Sequence, residues 1–220
     1  SHELKTPIAL IQGYSEGLLE NVNTDEESRR FYAEVILDET NKMDKLVKQL
    51  LELMKLEYGK REFKDTKFNI VEVEKEVVRK SKVMLEEKQV DVQIKSSDEI
   101  MVLADDFYIE QVVTNYLTNA IKHVEEIQGL KEISIENVVD VEKNKVRVKV
   151  FNTGKNIKEE DITRIWNRFY KVDESRNRAD GGTGIGLSFV RAIMNNYGNQ
   201  YGVMNKENGV EFYFELDLAI

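Results

Sequence analysis

The stretch QVVTNYLTNAIKHV, residues 111–124, places its apolar side chains on one arc of a helix. At about 100° per residue, Val112, Val113, Tyr116, Leu117, Ala120, Ile121 and Val124 fall together. Gln111, Asn115, Asn119 and Lys122 fall on the opposite arc. A solvated helix face normally carries Glu and Lys. Two Asn at i and i+4 are poor helix formers and ask for another reason. An amide oxygen is a hard, neutral ligand suited to Mg2+, which takes its other oxygens from phosphates and water. Lys122 on the same arc suits a phosphate. An ordinary polar face also accounts for the pattern, so the flanking sequence has to decide.

On the C-terminal side, KEISIENVVD and KVRVKVFN read as two strands with a turn around Glu142 to Asn144. The second runs into NTGKNI, where Asn152 ends the strand and Gly154 turns the chain. An acceptor at a strand end beside an apolar pocket suits a purine amino group, and a plain turn explains it as well. DGGTGIGLSFVRAI then brings Gly181, Gly182, Gly184 and Gly186 just ahead of an apolar helical run. Backbone N–H groups and a helix N-terminus converge there, where an anion could sit. The spacing is neither a P-loop nor a dinucleotide fingerprint. Before it lies the long polar stretch RFYKVDESRNRAD, with Arg168, Lys171, Arg176 and Arg178, which suits a flexible lid over a polyphosphate. Trp166, Phe169 and Tyr170 read as packing residues beneath that lid.

Towards the N-terminus the grain changes. EFKDTKFNI reads as a strand leading into a helix from about Ile70 to Lys88, and VDVQIKS and IMVLAD read as strands. A helix near Ala192 and a final pair, QYGVMNK and GVEFYFELDL, complete the second region. Strands interspersed with helices imply an α+β sandwich with a mixed sheet over residues 59–220. Residues 1–58 instead read as two helices. The first runs to about Glu20, NVNTDEES connects them with caps at Asn23 or Thr24, and a long second helix follows. In it Ile36, Met43 and Leu50 recur every seven residues, Val47 and Met54 fill the alternate seam, and Leu46, Leu51 and Leu53 widen the face. Such faces need a partner hairpin, so a dimeric four-helix bundle is expected.

The chain opens SHELKTPIAL, with His2 and Thr6 at i and i+4 on one helix face and its only proline at Pro7. It starts inside a helical pattern, which suggests a piece of something longer. Bulk properties narrow the function further. A formal net charge of −9 over 220 residues argues against general nucleic-acid binding, since no excess of cations is present to release counterions. With no Cys, thiolate metal sites and disulfides are excluded, and a reducing cytoplasm fits. No run of about 18 apolar residues is present, so no membrane contact is expected of this stretch.

These pieces, in this order, resemble the catalytic core of two-component sensor histidine kinases over essentially the whole chain. SHELKTPI resembles the phospho-acceptor box and NYLTNAIKH the Asn box. NTGKNI resembles a variant first Gly box, RFY the Phe-containing box, and GGTGIGL the second Gly box. The resemblance implies a dimerising phosphotransfer hairpin followed by a Bergerat-type ATP-binding domain, in a homodimer that serves a response regulator. It implies that His2 takes the γ-phosphoryl of ATP and passes it to an aspartate of the regulator. Glu3 would take the imidazole proton, and Thr6 would position water for dephosphorylating the regulator. Asn119 would ligand Mg2+, with Asn115 and Lys122 lining the same site. Gly182, Thr183, Gly184, Ile185, Gly186 and Leu187 would bring backbone amides to the phosphates, with Tyr170 and Lys171 at the lid base. Asn152 and Gly154 would meet the adenine.

Two positions depart from the family pattern, which usually has Asp at 152 and Gly at 156, where this chain has Asn152 and Asn156. Asn tolerates positive φ better than other non-glycine residues, so the turn is expected to survive Asn156. An Asn at 152 would accept from the adenine amino group and donate to the neighbouring ring nitrogen. Competing readings are a Bergerat-fold nucleotide-binding module without kinase activity and a non-catalytic bundle that recruits a regulator. The resemblance places the chain in the cytoplasmic part of a membrane-anchored bacterial sensor.

Overall fold

The computed structural model describes residues 2–22, 24–59, 62–96, 99–172 and 183–219. The chain divides into two compact units, Ser1–Lys55 and Leu56–Ile220.

The first unit is a helical hairpin of α1 (His2–Leu19) and most of α2 (Glu26–Glu57). The cap of α2 is Asp25, whose carboxylate accepts the Ser28 N–H at 2.7 Å. That bond holds the Asp25 carboxyl below its ordinary pKa. The expected cap at Thr24 is therefore displaced by one residue, because Asp offers the same oxygen with a charge that suits a helix N-terminus. The other expected cap, Asn23, lies outside the described residues. Near the turn, Tyr14 meets Phe31 and Tyr32 edge-on, at 6.0 and 5.0 Å between ring centres. Leu46 and Leu53 are buried, whereas Val47, Leu51 and Met54 of the same apolar face stay exposed.

The second unit is an α/β sandwich. Its main sheet has the order β2-β4-β5-β7-β6, built from Val92–Lys95, Ile133–Asp140, Lys145–Thr153, Gly209–Asp217 and Tyr201–Lys206. β2 and β4 run parallel and the other neighbours antiparallel, so the sheet is mixed. β3 (Met101–Ala104) does not pair with β2 but with β1 (Thr66–Asn69), in a separate two-stranded ladder. Along β5 burial alternates: Val146, Val148 and Val150 point to the core. On the other face, charged pairs cross the strands, Glu136 with Lys149 at 3.0 Å and Arg147 with Glu215 at 2.6 Å.

The helices follow from the sequence with one interruption. α3 (Ile70–Lys80) begins at Asn69, whose amide oxygen accepts from Val71 N–H at 3.1 Å. It stops at Ser81, whose N–H and hydroxyl both turn back to the Val77 carbonyl, and α4 (Lys82–Lys88) restarts beyond it. The expected single helix from 70 to 88 is thus two. A serine hydroxyl sharing an i−4 carbonyl weakens and bends a helix, which suits an interruption here. α5 (Asp106–His123) and α7 (Gly186–Tyr197) pack together and carry the core. Val112, Val113, Tyr116, Leu117, Ala120 and Ile121 are almost completely enclosed, matching the apolar arc read from the sequence. A short helix α6 (Glu159–Ile162) and a 3-10 turn (Arg164–Trp166) were not anticipated.

Candidate functional site

α5 is the spine of the site. Asn115, Asn119 and Lys122 lie half-buried on the arc opposite the core. Asn115 is oriented by its own helix, since its amide nitrogen donates to the Gln111 carbonyl at 2.9 Å. Its oxygen is left facing the start of α7. A Cβ added to Gly186 would lie 2.6 Å from Asn115 Oδ1, so the Asn box and the second Gly box touch here. Among the described residues the Asn119 amide takes no hydrogen bond.

The other end of α5 meets the first Gly box. A Cβ on Gly154 would lie 2.6 Å from the His123 carbonyl and 3.3 Å from Asn152 Nδ2. Asn152 is buried, between Ile133 of β4 and Val210 of β7 in the strand register. Its amide nitrogen donates to the Thr153 carbonyl at 3.0 Å. One of its two amide hydrogens is therefore held by the backbone, and the oxygen remains as an acceptor. Thr153, which the sequence reading passed over, ties the region together. Its hydroxyl donates to the Glu125 carbonyl at 2.8 Å and accepts the Glu132 N–H at 3.0 Å.

Asn156 does not adopt the left-handed backbone that a glycine replacement would need. In the amide orientation that satisfies its surroundings, its nitrogen donates to the carbonyls of Lys206 at 3.1 Å and Gly209 at 2.9 Å. Ile157 and Asn205 exchange two further bonds, at 2.9 and 2.7 Å. The loop survives because it is fastened to the β6–β7 hairpin, and not because Asn tolerates positive φ.

The Phe-containing box and the second Gly box meet backbone to backbone. Phe169 N–H donates to the Gly184 carbonyl at 2.8 Å, and both residues have positive φ, +63° and +67°. For a bulky aromatic this is an outlier, of the kind held in place only by surrounding structure. Gly184 is obligatory: a Cβ would come within 2.9 Å of Phe169 Cα. Tyr170 follows, and its hydroxyl donates to the buried Asp161 carboxylate at 2.5 Å. That bond raises the phenol pKa above its ordinary value. Trp166 packs edge-on against Tyr201 with ring centres 4.9 Å apart, a packing residue as expected.

Thr183, Gly184, Ile185, Gly186 and Leu187 lead into or begin α7, and Lys171 follows Tyr170. Gly181, Gly182, Arg176 and Arg178 lie outside the described residues. His2 and Glu3 stand in the first turn of α1, with side chains outside the described set, and Thr6 is exposed on the same helix. The first amides of α7, at Gly186, Leu187 and Ser188, have no partner within the helix, as at any helix start. Among the described residues no cluster of three His, Asp or Glu could hold a metal by itself. Amide oxygens such as those on this arc suit a cation that takes its other oxygens from phosphates and water.

The second Gly box thus meets α5 at Asn115, the first Gly box meets the end of α5 at His123, and the Phe-containing box meets the second Gly box at Gly184. Residues 104–220 match the family described as "Histidine kinase-, DNA gyrase B-, and HSP90-like ATPase", and residues 1–59 match the "His Kinase A (phospho-acceptor) domain". The chain belongs to this family, with the architecture of a two-component sensor kinase catalytic core. It is 31% identical to Sensor histidine kinase YclK of Bacillus subtilis over 225 residues, covering 100% of this chain and 45% of that protein. Among solved structures it resembles histidine kinase ThkA in complex with response regulator protein TrrA. There the TM-score is 0.72 at 27% identity, over 99% of this chain and 59% of that one. It shares its fold with Acinetobacter baumannii histidine kinase AdeS, with a TM-score of 0.78 at 21% identity, over 100% and 99% of the two chains. The chain spans about half the length of the curated relatives it matches. None of its described helices is long and apolar enough to cross a membrane.

Proposed function

We propose that the chain is the ATP-dependent kinase core of a two-component sensor, phosphorylating His2 and passing the phosphoryl group to an aspartate of a response regulator. The observation that carries the reading is the meeting of Asn115 with Gly186 beside the start of α7. This puts an amide oxygen and helix amides together, the combination that suits a phosphate chain with a divalent cation. Asn119, whose amide takes no hydrogen bond among the described residues, is the residue assigned to Mg2+, with Lys122 beside it. Bound Mg2+ would neutralise charge on the phosphates. Asn152 would accept from the adenine amino group, with Gly154 leaving room beside it. Thr183 to Leu187, together with Gly182, would take the phosphates. Tyr170 and Lys171 would border the site.

In the reaction a neutral imidazole nitrogen of His2 attacks the γ-phosphorus. The N–P bond forms as the bond to the bridging oxygen breaks, and ADP leaves. The second imidazole nitrogen gives its proton to Glu3 as positive charge develops. The protein has little covalent work to do beyond positioning, because the transferring phosphoryl is nearly free in the transition state. The aspartate carboxylate of the regulator then displaces the imidazole. Thr6 is assigned to the reverse service, placing water for hydrolysis of the phospho-aspartate. The exposed Val47, Leu51 and Met54 support a homodimer through the hairpin. The complex of ThkA with TrrA supports a response regulator as partner. A cytoplasmic site, below a membrane anchor, completes the reading.

The test is incubation with ATP radiolabelled on its γ-phosphate. Label that is stable to base, lost in acid and absent from His2→Gln is expected. Label that survives in His2→Gln assigns the acceptor elsewhere, and no label in the parent rejects the kinase reading.

A further inference from the structure

Tyr170 is held from three directions, of which the nucleotide reading uses none. Its backbone follows Phe169, pinned to Gly184, and its own N–H donates to the Asn167 carbonyl at 3.3 Å. Its hydroxyl donates to Asp161 Oδ1 at 2.5 Å. The Arg164 guanidinium lies 4.7 Å from the centre of its ring. Asp161 is only 6% exposed, so its carboxylate has been taken out of water, which is costly unless a partner compensates. The segment that carries the acid is itself anchored: Trp166, five residues on, packs on Tyr201 and Phe212 of the sheet.

We propose that Asp161, seconded by Arg164, is a positioning residue that fixes the Tyr170 ring at the edge of the nucleotide site before nucleotide arrives. The proposal rests on the nucleotide reading above. A tyrosine free to change rotamer must be ordered on binding, and that cost is charged against affinity. A tyrosine tethered at its backbone and hydroxyl has lost that freedom on folding. The buried acid therefore shifts an entropic cost from the binding step to the folding step. Arg164 adds a cation over the ring face, which keeps the phenol from swinging outward.

The experiment is a double-mutant cycle in the full chain, with Mg-ATP affinity measured by competition against a fluorescent ATP analogue. Asp161→Ala is expected to weaken binding about two- to tenfold, the cost of one immobilised side chain. Asp161→Asn keeps an acceptor in place and should restore most of the loss. In a Tyr170→Phe background, which lacks the donated hydroxyl, Asp161→Ala should add nothing further. In autophosphorylation the KM for ATP should rise while the rate at saturation holds, a split that general loss of fold would not produce. Parent-like affinity in Asp161→Ala, or a loss undiminished in the Tyr170→Phe background, overturns the proposal. Should Asp161→Ala fail to fold, Tyr170→Phe carries the test, since unchanged affinity there overturns it equally. A parent chain that does not bind Mg-ATP fails the nucleotide reading itself, whereas a binding parent with parent-like variants fails only the positioning role.

Discussion

Asn115 and Gly186 are in contact, side chain to backbone: a Cβ on Gly186 would lie 2.6 Å from Asn115 Oδ1 and 3.3 Å from its Cγ. The obstacle is the end of a side chain and not backbone, so the fold can yield where the site cannot. Gly186→Ala is expected to leave the melting temperature nearly unchanged while pushing the Asn115 amide aside. Mg-ATP binding, read by calorimetry, should fall at least about tenfold, roughly one charge-assisted contact. Parent-like heat and affinity would remove this pair from the nucleotide site.

Asn152→Ala removes the buried acceptor at the end of β5. The Thr153 carbonyl keeps a partner, since Glu125 N–H also donates to it at 3.0 Å, so little of the loss should be structural. A bound adenine would leave its amino group unpaired, costing about 1–3 kcal/mol. The parent should prefer ATP to GTP in competition assays, because guanine presents a carbonyl where adenine has its amino group. That preference should shrink in the variant. Equal preference in parent and variant would show that another residue reads the base.

Glu74 of α3 is fully enclosed, with Asn137 of β4 donating to its Oε2 at 3.0 Å. Two oxygens of the pair, Glu74 Oε1 and Asn137 Oδ1, are buried without a partner. A proton on Oε1 would supply the missing donor, and burial pushes this carboxyl from 4.5 up to about 7. Charges on neighbouring elements are engaged elsewhere, Lys80 with Glu110 and Lys95 with Glu132. Below the unfolded value both states hold the proton, so nothing is lost. Between that value and the folded one only the folded chain keeps it, and stability falls by about 1.4 kcal/mol per pH unit. Above the folded value the slope ends, after a total of roughly 3 kcal/mol. Urea unfolding at pH 5, 6, 7 and 8 should show this decline, and Glu74→Gln should flatten it. A parent and variant with parallel profiles would place the titrating group elsewhere.

Periodicity told most about α5. Its buried arc could be read because every core contact of that helix is repeated at helical spacing. The pairing of β3 with β1, and of β2 in parallel with β4, was beyond reach for a different reason. Partners in a sheet are chosen by the packing of the whole chain, and nothing local in VDVQIKS distinguishes a hairpin from a crossover. The break at Ser81 depended on one hydroxyl choosing a carbonyl. In the site, the glycines and Asn115 announced themselves by residue type. Asp161 did not, because an acid in a run of acids looks like solvated surface until Tyr170 is seen to fold over it.

The neutrality of Asn152 has a consequence for acid conditions. An aspartate at that strand end would stop accepting as it gained a proton, and base reading would then carry an acid limit. An amide has no proton to gain across the physiological range. Recognition of the base at this position would therefore be indifferent to pH, while the fold around it, through Glu74, is not. A loss of nucleotide binding on raising the pH would in that case report the packing of α3 on the sheet, and a cell that acidifies would strengthen the domain without blunting its choice of base.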